Sequence, residues 1–434
     1  MPLKDGSATT IDNEKSTVDN ASAQQPPPPP PPPLPPNGGL KAWIQVLGAH
    51  FLFFNSWGLV NSFGVFQTYY QDDLLKSSNA SDISWIGTFQ AFLLVALSVI
   101  VGPIFDRGYS RTLIIVGTFF TVFGTMMQSL GTKYYEIFLA QGLAVGLGTG
   151  FIFLPSVAIV ATYFTSKRAL AIGITASGGS LGSVIYPIVF ERLQPTIGFP
   201  WATRVLGFIS LATLMISIAV MRTRIPPPKQ ARALLDLRAF KNMPYSFYSL
   251  GLFLSFAGLY IPIFYIIIWA QRHANVDATL SFYLLAILNA TSIFGRIIPG
   301  LIADKYGSLE TAIACTLIAG ILGYVAIVIK NLGGIFVFAI LYGFVSGAVV
   351  SLPSAIVASL TPDMKLVGTW MGQSFFLAAL GILIGSPIAG TIINVPENKF
   401  SDGFIFSATL VMSAGVSYIV AKVLKTKEQR LTKV

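Results

Sequence analysis

Twelve apolar stretches fix the solvent in which this 434-residue chain must fold. They lie near residues 43–66, 83–105, 112–130, 137–160, 169–190, 203–221, 245–269, 280–303, 311–329, 335–358, 366–392 and 403–421. Each comes close to or exceeds the ~20 residues that a helix needs to cross about 30 Å of hydrocarbon. Barrel strands would be about half as long and alternate in polarity, so the stretches are expected as helices. Composition points the same way. Only 11% of residues are charged, against roughly 25% in a soluble domain, and a mean hydropathy of +0.70 leaves too few polar residues to cover a water-exposed surface. The net charge of +10 is spread between the apolar stretches rather than gathered with aromatics on one face, which argues against nucleic acid as a partner. The lone cysteine, Cys315, excludes an intrachain disulfide and reads as a small buried hydrophobe.

Residues 1–40 form a polar, then Pro-rich tail whose run PPPPPPPPLPP adopts polyproline II. The tail reads as a disordered stiff spacer, with docking of an SH3- or WW-type partner as the alternative. It lacks the apolar core of a cleavable signal, so the first helix is expected to direct insertion. With the N-terminus inside, 20 Lys and Arg fall on the cytoplasmic side, 7 on the other and one within a helix, which places both termini in the cytoplasm. The largest basic cluster, Arg222, Arg224, Lys229, Arg232, Arg238 and Lys241, flanks Pro226, Pro227 and Pro228. It marks residues 222–243 as a hinge between an N-terminal bundle, 41–221, and a C-terminal bundle, 244–424, followed by a cytoplasmic tail, 425–434. Asn79-Ala80-Ser81 then lies outside as a candidate glycosylation site.

The halves repeat at one offset of 198 residues: Gly102 with Gly300, Asp106 with Asp304, Leu154-Pro155-Ser156 with Leu352-Pro353-Ser354, and Lys167 with Lys365. Copies in the same orientation imply an all-α membrane protein with twelve transmembrane helices in two six-helix pseudo-symmetric bundles, with solute bound between them near the midplane. Gly102, Asp106, Arg107 and Arg111 after helix two, and Gly300, Asp304 and Lys305 after helix eight, set acids and bases in tight cytoplasmic turns. Such turns can latch the halves in one state. Positive-inside anchoring explains the bases but neither the acids nor their recurrence. The first turn resembles a degenerate form of the signature loop of the major facilitator superfamily.

Two further stretches narrow the resemblance. NGGLKAW before helix one is similar to the acidic-Gly-Gly-aromatic motif of the monocarboxylate transporter family, and YFTSKRALAIGITASGGSLG, residues 163–182 with Lys167, Arg168 and Gly173, resembles that family's second motif. With WGLVNSFGVFQTYY, the pattern is most similar to the fungal branch, from about residue 37 to the C-terminus. The chain departs from the family at three places. Asn37 stands for its Asp, Asn61 for the helix-one lysine of its lactate carriers, and Ser292 for an acid one turn before the arginine that Arg296 matches. These departures bear on the family's route of carboxylate–proton symport.

Arg296 is the one formally charged side chain well inside an apolar stretch, at a cost of about 2.5 kcal/mol or more. Two readings are open: an anion-binding or gating group in the cavity, or an anchor reaching the cytoplasmic rim. His50 and Asn61, eleven residues apart, return to one helix face with Trp57 between them. His50 is either a proton carrier or a hydrogen-bonded structural residue, while Asn55 points elsewhere and serves packing. Tyr260 beside Pro262, Asn289 and Gln373 complete the candidate lining. Gly142, Gly146 and Gly150, and Gly178 and Gly182, recur every fourth residue as packing seams.

No catalytic constellation, metal-ligand set or phosphate loop appears, the histidines being only His50 and His273, so an enzyme or ATP-driven pump is not expected and no cofactor is required. The expected function is secondary transport by a monomer of a small organic solute, with protons as a candidate partner, in the plasma membrane or alternatively a vacuolar or other internal membrane. Efflux of a secondary metabolite or organic acid is favoured because a mostly uncharged, aromatic and amide lining suits a larger solute than lactate. Uptake of a monocarboxylate or vitamin, and a non-transporting receptor on a carrier scaffold, are the alternatives.

Overall fold

A computed structural model describes residues 36–224, 235–274, 276–362, 366–393 and 400–431. The tail before residue 36, the hinge centre with Pro226, Pro227, Pro228, Lys229 and Arg232, Lys365, and the side chains of Ser81 and His273 lie outside the described part. Every regular element among the described residues is helical.

Among the described residues, ten helices are long and apolar enough to cross a membrane. One of them, Arg168–Val220, has 53 residues and is broken at Gly198, where φ is 76°. It therefore counts as two spans, and Leu40–Asn61 adds the twelfth. We label them α1 (Leu40–Asn61, extended by Phe63–Tyr69), α2 (80–106), α3 (Ser110–Gln128), α4 (Tyr134–Tyr163), α5 (168–197), α6 (199–220), α7 (Met243–Ala274), α8 (Ala278–Tyr306), α9 (Ser308–Val325), α10 (Leu332–Leu360), α11 (Val367–Ile392) and α12 (Ser401–Leu431). The loop expected over 191–202 shrinks to a corner. Gly198 takes the left-handed conformation that a side chain resists, and Pro200 sits in the first turn of α6, where its missing N–H costs nothing. The end of the chain also differs from expectation, since α12 stays helical to Leu431, where Lys422 pairs with Glu310 of α9.

The repeated prolines behave differently in the two halves. Pro155 lies inside α4, whereas Pro353 begins a fresh helical segment of α10 after a break at Leu352.

Phe119, Phe123, Phe208, Met215 and Phe294 are exposed on the outer surface, as lipid-facing side chains of a spanning bundle must be. Inside, α1 packs on α5 through glycines: a Cβ at Gly182 would stand 2.9 Å from the Gly58 Cα, and one at Gly179 2.8 Å from the Trp57 Cβ. The Gly142, Gly146 and Gly150 seam receives α2 at Ile86, Leu93 and Gln90. In the second half α7 packs on α11 and α12, and α8 on α10. The most extensive contacts between the halves among the described residues are α5 with α8 and α2 with α11.

Candidate functional site

The centre of the bundle is an aromatic layer drawn from both halves. Trp57 of α1 lies nearly parallel to Tyr260 of α7, with ring centroids 5.9 Å apart and planes 5° from coplanar. Phe153 of α4 meets Trp57 edge-on at 6.1 Å and Phe375 of α11 at 5.8 Å. Arg296 of α8 belongs to this layer. It is only 4% exposed, its Nη1 donates to the Ala176 carbonyl of α5, and Tyr260 is its ionisable neighbour. The guanidinium therefore sits between α5 and α8 rather than at the rim.

Two buried donors in the layer have no hydrogen-bond partner, Arg296 Nε and Trp57 Nε1. An orphaned donor in a dry interior costs about 1–3 kcal/mol, so both groups are held in the layer at a cost to the fold.

One turn outward from Trp57 begins a narrow cleft of about 50 Å³ lined by Asn61, Gln67, Gln71, Thr88, Tyr265 and Ser386. Inward from Phe153 lies a second, of about 330 Å³, with Leu154, Val157, Ile172 and Met371 in its walls and Asp106, Arg168 and Arg224 among its polar groups. Trp57, Tyr260, Phe153 and Phe375 thus lie between two clefts.

The other candidates fall in several places. Asn61 and His50 do share a face, the one that meets α5: Asn61 Nδ2 donates to Ser183 Oγ at 3.1 Å, and His50 Nδ1 lies 2.9 Å from the Ile174 carbonyl. Asn61 reaches the outer cleft, whereas His50 is half-buried in the helix seam. Asn289 is buried and donates to Leu285 O. Gln373 is held under the inter-half loop, where it exchanges bonds with the Asp236 backbone N–H at 3.4 Å and C=O at 3.3 Å. Asn55 joins α1 to α5 and α6 through Tyr186 and Thr213. Asn79 is exposed at the start of α2.

Several contributors escaped the sequence reading. Phe153 and Phe375 look like any core aromatic until both halves are folded. Asp236 accepts from Trp370 Nε1 at 3.3 Å, clamping the loop onto the inner end of α11. Ser292, which the sequence did single out as standing where the resembling family has an acid, lies 2.6 Å from Ser180 Oγ and bridges α8 to α5.

The turns that follow α2 and α8 are not used alike. Asp304 reaches across to the other half, where its two carboxylate oxygens accept from the backbone N–H groups of Ala169 and Leu170, both at 3.0 Å, in the first turn of α5. Gly300 lets the backbones meet, a Cβ there standing 3.0 Å from the Ala169 carbonyl, while Gly102 would meet nothing within 4 Å. Asp106 is buried beside the inner cleft. Arg107, Arg111, Lys167 and Lys305 are exposed, and Arg168 Nε donates to the Phe164 carbonyl at 3.3 Å. Gly173 packs directly against the Arg296 carbonyl.

The two stretches that resemble family motifs touch each other. Asn37 adopts φ 55° and is followed by Gly38 and Gly39, also at positive φ. Its Oδ1 accepts from Thr165 N at 3.0 Å and Ser166 N at 3.1 Å, and its Nδ2 donates to Ser166 Oγ at 2.6 Å. Asn37→Asp keeps both accepted bonds and is expected to leave thermal stability nearly unchanged. Asn37→Ala removes all three and should cost about 1–2 kcal/mol, as loss of a helix-capping side chain does, which a thermal melt in detergent checks.

Two pseudo-equivalent six-helix halves, crossing at α5–α8 and α2–α11 and enclosing clefts on both sides of a central layer, define a multi-pass membrane carrier. The family model for the Major Facilitator Superfamily matches residues 46–334, and the chain belongs to that superfamily. It is 44% identical over 386 residues to the MFS-type transporter dbaD of Emericella nidulans, covering 89% of this chain and 87% of the relative. It is 39% identical over 390 residues to the aspyridones efflux protein apdF of the same organism, covering 90% and 79%. Among solved structures, the human organic anion transporter MFSD10 superposes with a TM-score of 0.67 at 16% identity, over 88% of this chain and all of that one, and so shares the fold.

Proposed function

We propose that this carrier exports a secondary metabolite or organic acid by alternating access, and that Arg296, Trp57 and Tyr260 hold the solute in the central layer. The observation that carries the reading is the pair of orphaned buried donors, Arg296 Nε and Trp57 Nε1, set between two clefts. A guanidinium held there without a carboxylate partner suits an acceptor that arrives and leaves. The relatives named as efflux proteins support the outward direction. The plasma membrane is the matching location, with the protein acting as a monomer.

In the same reading, residues 41–221 and 244–424 rock as two bodies about the 222–243 hinge. The turn at Asp304 holds the α5–α8 pair closed on the cytoplasmic side, and the turn at Asp106 acts at the α2–α11 pair. The Asn37 contact with residues 165–166 supports placing the chain near the monocarboxylate transporter family, whose two motifs would meet in the same way. Asn61 and His50 contribute through the α1–α5 face, and Asn289 through α8. Asn79 is offered as an outward-facing glycosylation site.

The test is a comparison of host strains. With the gene deleted, at least one metabolite should shift from the culture medium into the cells, and the wild-type gene, but not Arg296→Gln, should restore the medium. Identical profiles with and without the gene would remove the export reading.

A further inference from the structure

The two clefts differ in chemistry, and the difference points to what is loaded. The outer cleft is lined by amides, hydroxyls and apolar side chains, with no charged residue among the described residues of its wall, and the cleft adjoining it at Thr68 and Ile267 carries the acids Asp72, Asp73 and Glu191. The inner one combines apolar surface from both halves, Leu154 and Val157 of α4 facing Val367 and Met371 of α11, with the guanidiniums of Arg168 and Arg224.

Both arginines are positioned rather than loose. Arg168 Nε donates to Phe164 O at 3.3 Å and Arg224 Nε to Thr162 O at 3.2 Å, carbonyls at the end of α4 that have no partner within the helix. Asp106 is the carboxylate in the same wall. Asp304, the other acid near Arg168, is turned onto the amides of α5.

We propose that the inner cleft is a loading subsite for apolar acids, in which Arg168 and Arg224 take a carboxylate, enolate or sulfonate while the walls of α4 and α11 take the carbon skeleton. A planar guanidinium matches a two-oxygen anion better than a lysine would, and apolar walls strengthen the contact by excluding water. Passage outward then moves the anion from two guanidiniums, past Arg296, into a cleft with no charge among the described residues of its wall, so it is held more weakly on the side of release. The solute gradient or coupling ion still sets net direction. The subsite sets how dilute a cytoplasmic acid can be and still load. This inference rests on the export reading but concerns separate residues, so the two fail separately.

The test uses two probes of one skeleton, anilinonaphthalene sulfonate and phenylnaphthylamine, which lacks the sulfonate. In full-length protein in lipid nanodiscs, with Cys315→Ser, a thiol is introduced by Ala158→Cys in the inner wall or Ser386→Cys in the outer, and its rate of maleimide labelling is measured. The sulfonate should protect the inner thiol at about tenfold lower concentration than the amine, the ratio that one good charge-assisted contact supplies. It should show no such preference at the outer thiol. Arg168→Gln and Arg224→Gln should each lower the sulfonate's advantage while leaving protection by the amine intact, which also shows that the cleft is still formed.

Arg296→Gln should leave protection of the inner thiol unchanged whether or not export survives. Equal protection of the inner thiol by the two probes, an equal sulfonate preference at both thiols, or an advantage that persists in both arginine variants would overturn the proposal.

Discussion

Replacing Arg296 with glutamine is expected to lower transport of an acid-bearing solute by about 10- to 100-fold while insertion into the membrane stays normal. The magnitude follows from losing one charge-assisted hydrogen bond to the solute, about 1.5–3 kcal/mol. Arg296→Lys keeps the charge but loses the planar fork, so it should fall between wild type and glutamine for a carboxylate. Any shift of the pH optimum in the glutamine variant should follow ionisation of the solute rather than of His50, which is engaged with the Ile174 carbonyl in the α1–α5 seam.

Stability separates this role from a structural one. The buried guanidinium has a partnerless Nε, and a buried charge of this kind is a net cost to the fold. Arg296→Gln should therefore melt no lower than wild type, as read by thermal unfolding of the purified protein. A large loss of stability would instead make the contact with Ala176 the reason for the arginine, and wild-type transport in both variants would place the solute elsewhere.

The second large effect is expected at the α5–α8 closure. Asp304 satisfies two N–H groups in the first turn of α5, where a negative charge also meets the positive end of the helix. Asparagine offers one acceptor in place of two and removes the charge. Asp304→Asn should thus destabilise the cytoplasm-closed state by about 1–3 kcal/mol, a 5- to 150-fold change in the balance of states. Faster labelling of a thiol in the inner cleft and slower turnover would report it. Asp106→Asn should slow turnover through the α2–α11 pair. Normal turnover in the double variant would leave these turns as membrane anchors only.

The spans were legible because a bilayer demands about 20 apolar residues per crossing, and the repeat was legible because three groups of residues share one offset. What the sequence concealed is what long-range packing decides. The corner at Gly198 fused two helices that a hydropathy profile separates. The aromatic layer needed Trp57 and Phe153 from one half to meet Tyr260 and Phe375 from the other, and no local pattern marks a phenylalanine as a member of such a layer.

Symmetry misled in a further way. Paired sequence turns suggest paired roles, yet Gly300 touches the opposite half where Gly102 meets nothing. The structure is one conformation, and the two helix pairs need not close together in it. Asp236 was invisible for a related reason, since its partners Trp370 and Gln373 lie more than a hundred residues away.

The purified chain is expected to move an organic acid through the Arg296 layer, and one measurement decides it. It is tested most directly by reconstituting the protein in liposomes and presenting a total metabolite extract of the host on one side, with and without a pH gradient. The compounds that cross are then identified by mass spectrometry. A small set of apolar acids should enter protein-containing liposomes, be absent from empty ones, and be lost with Arg296→Gln. Extract compounds that bind the protein but never accumulate inside would contradict it and make the chain a receptor on a carrier scaffold.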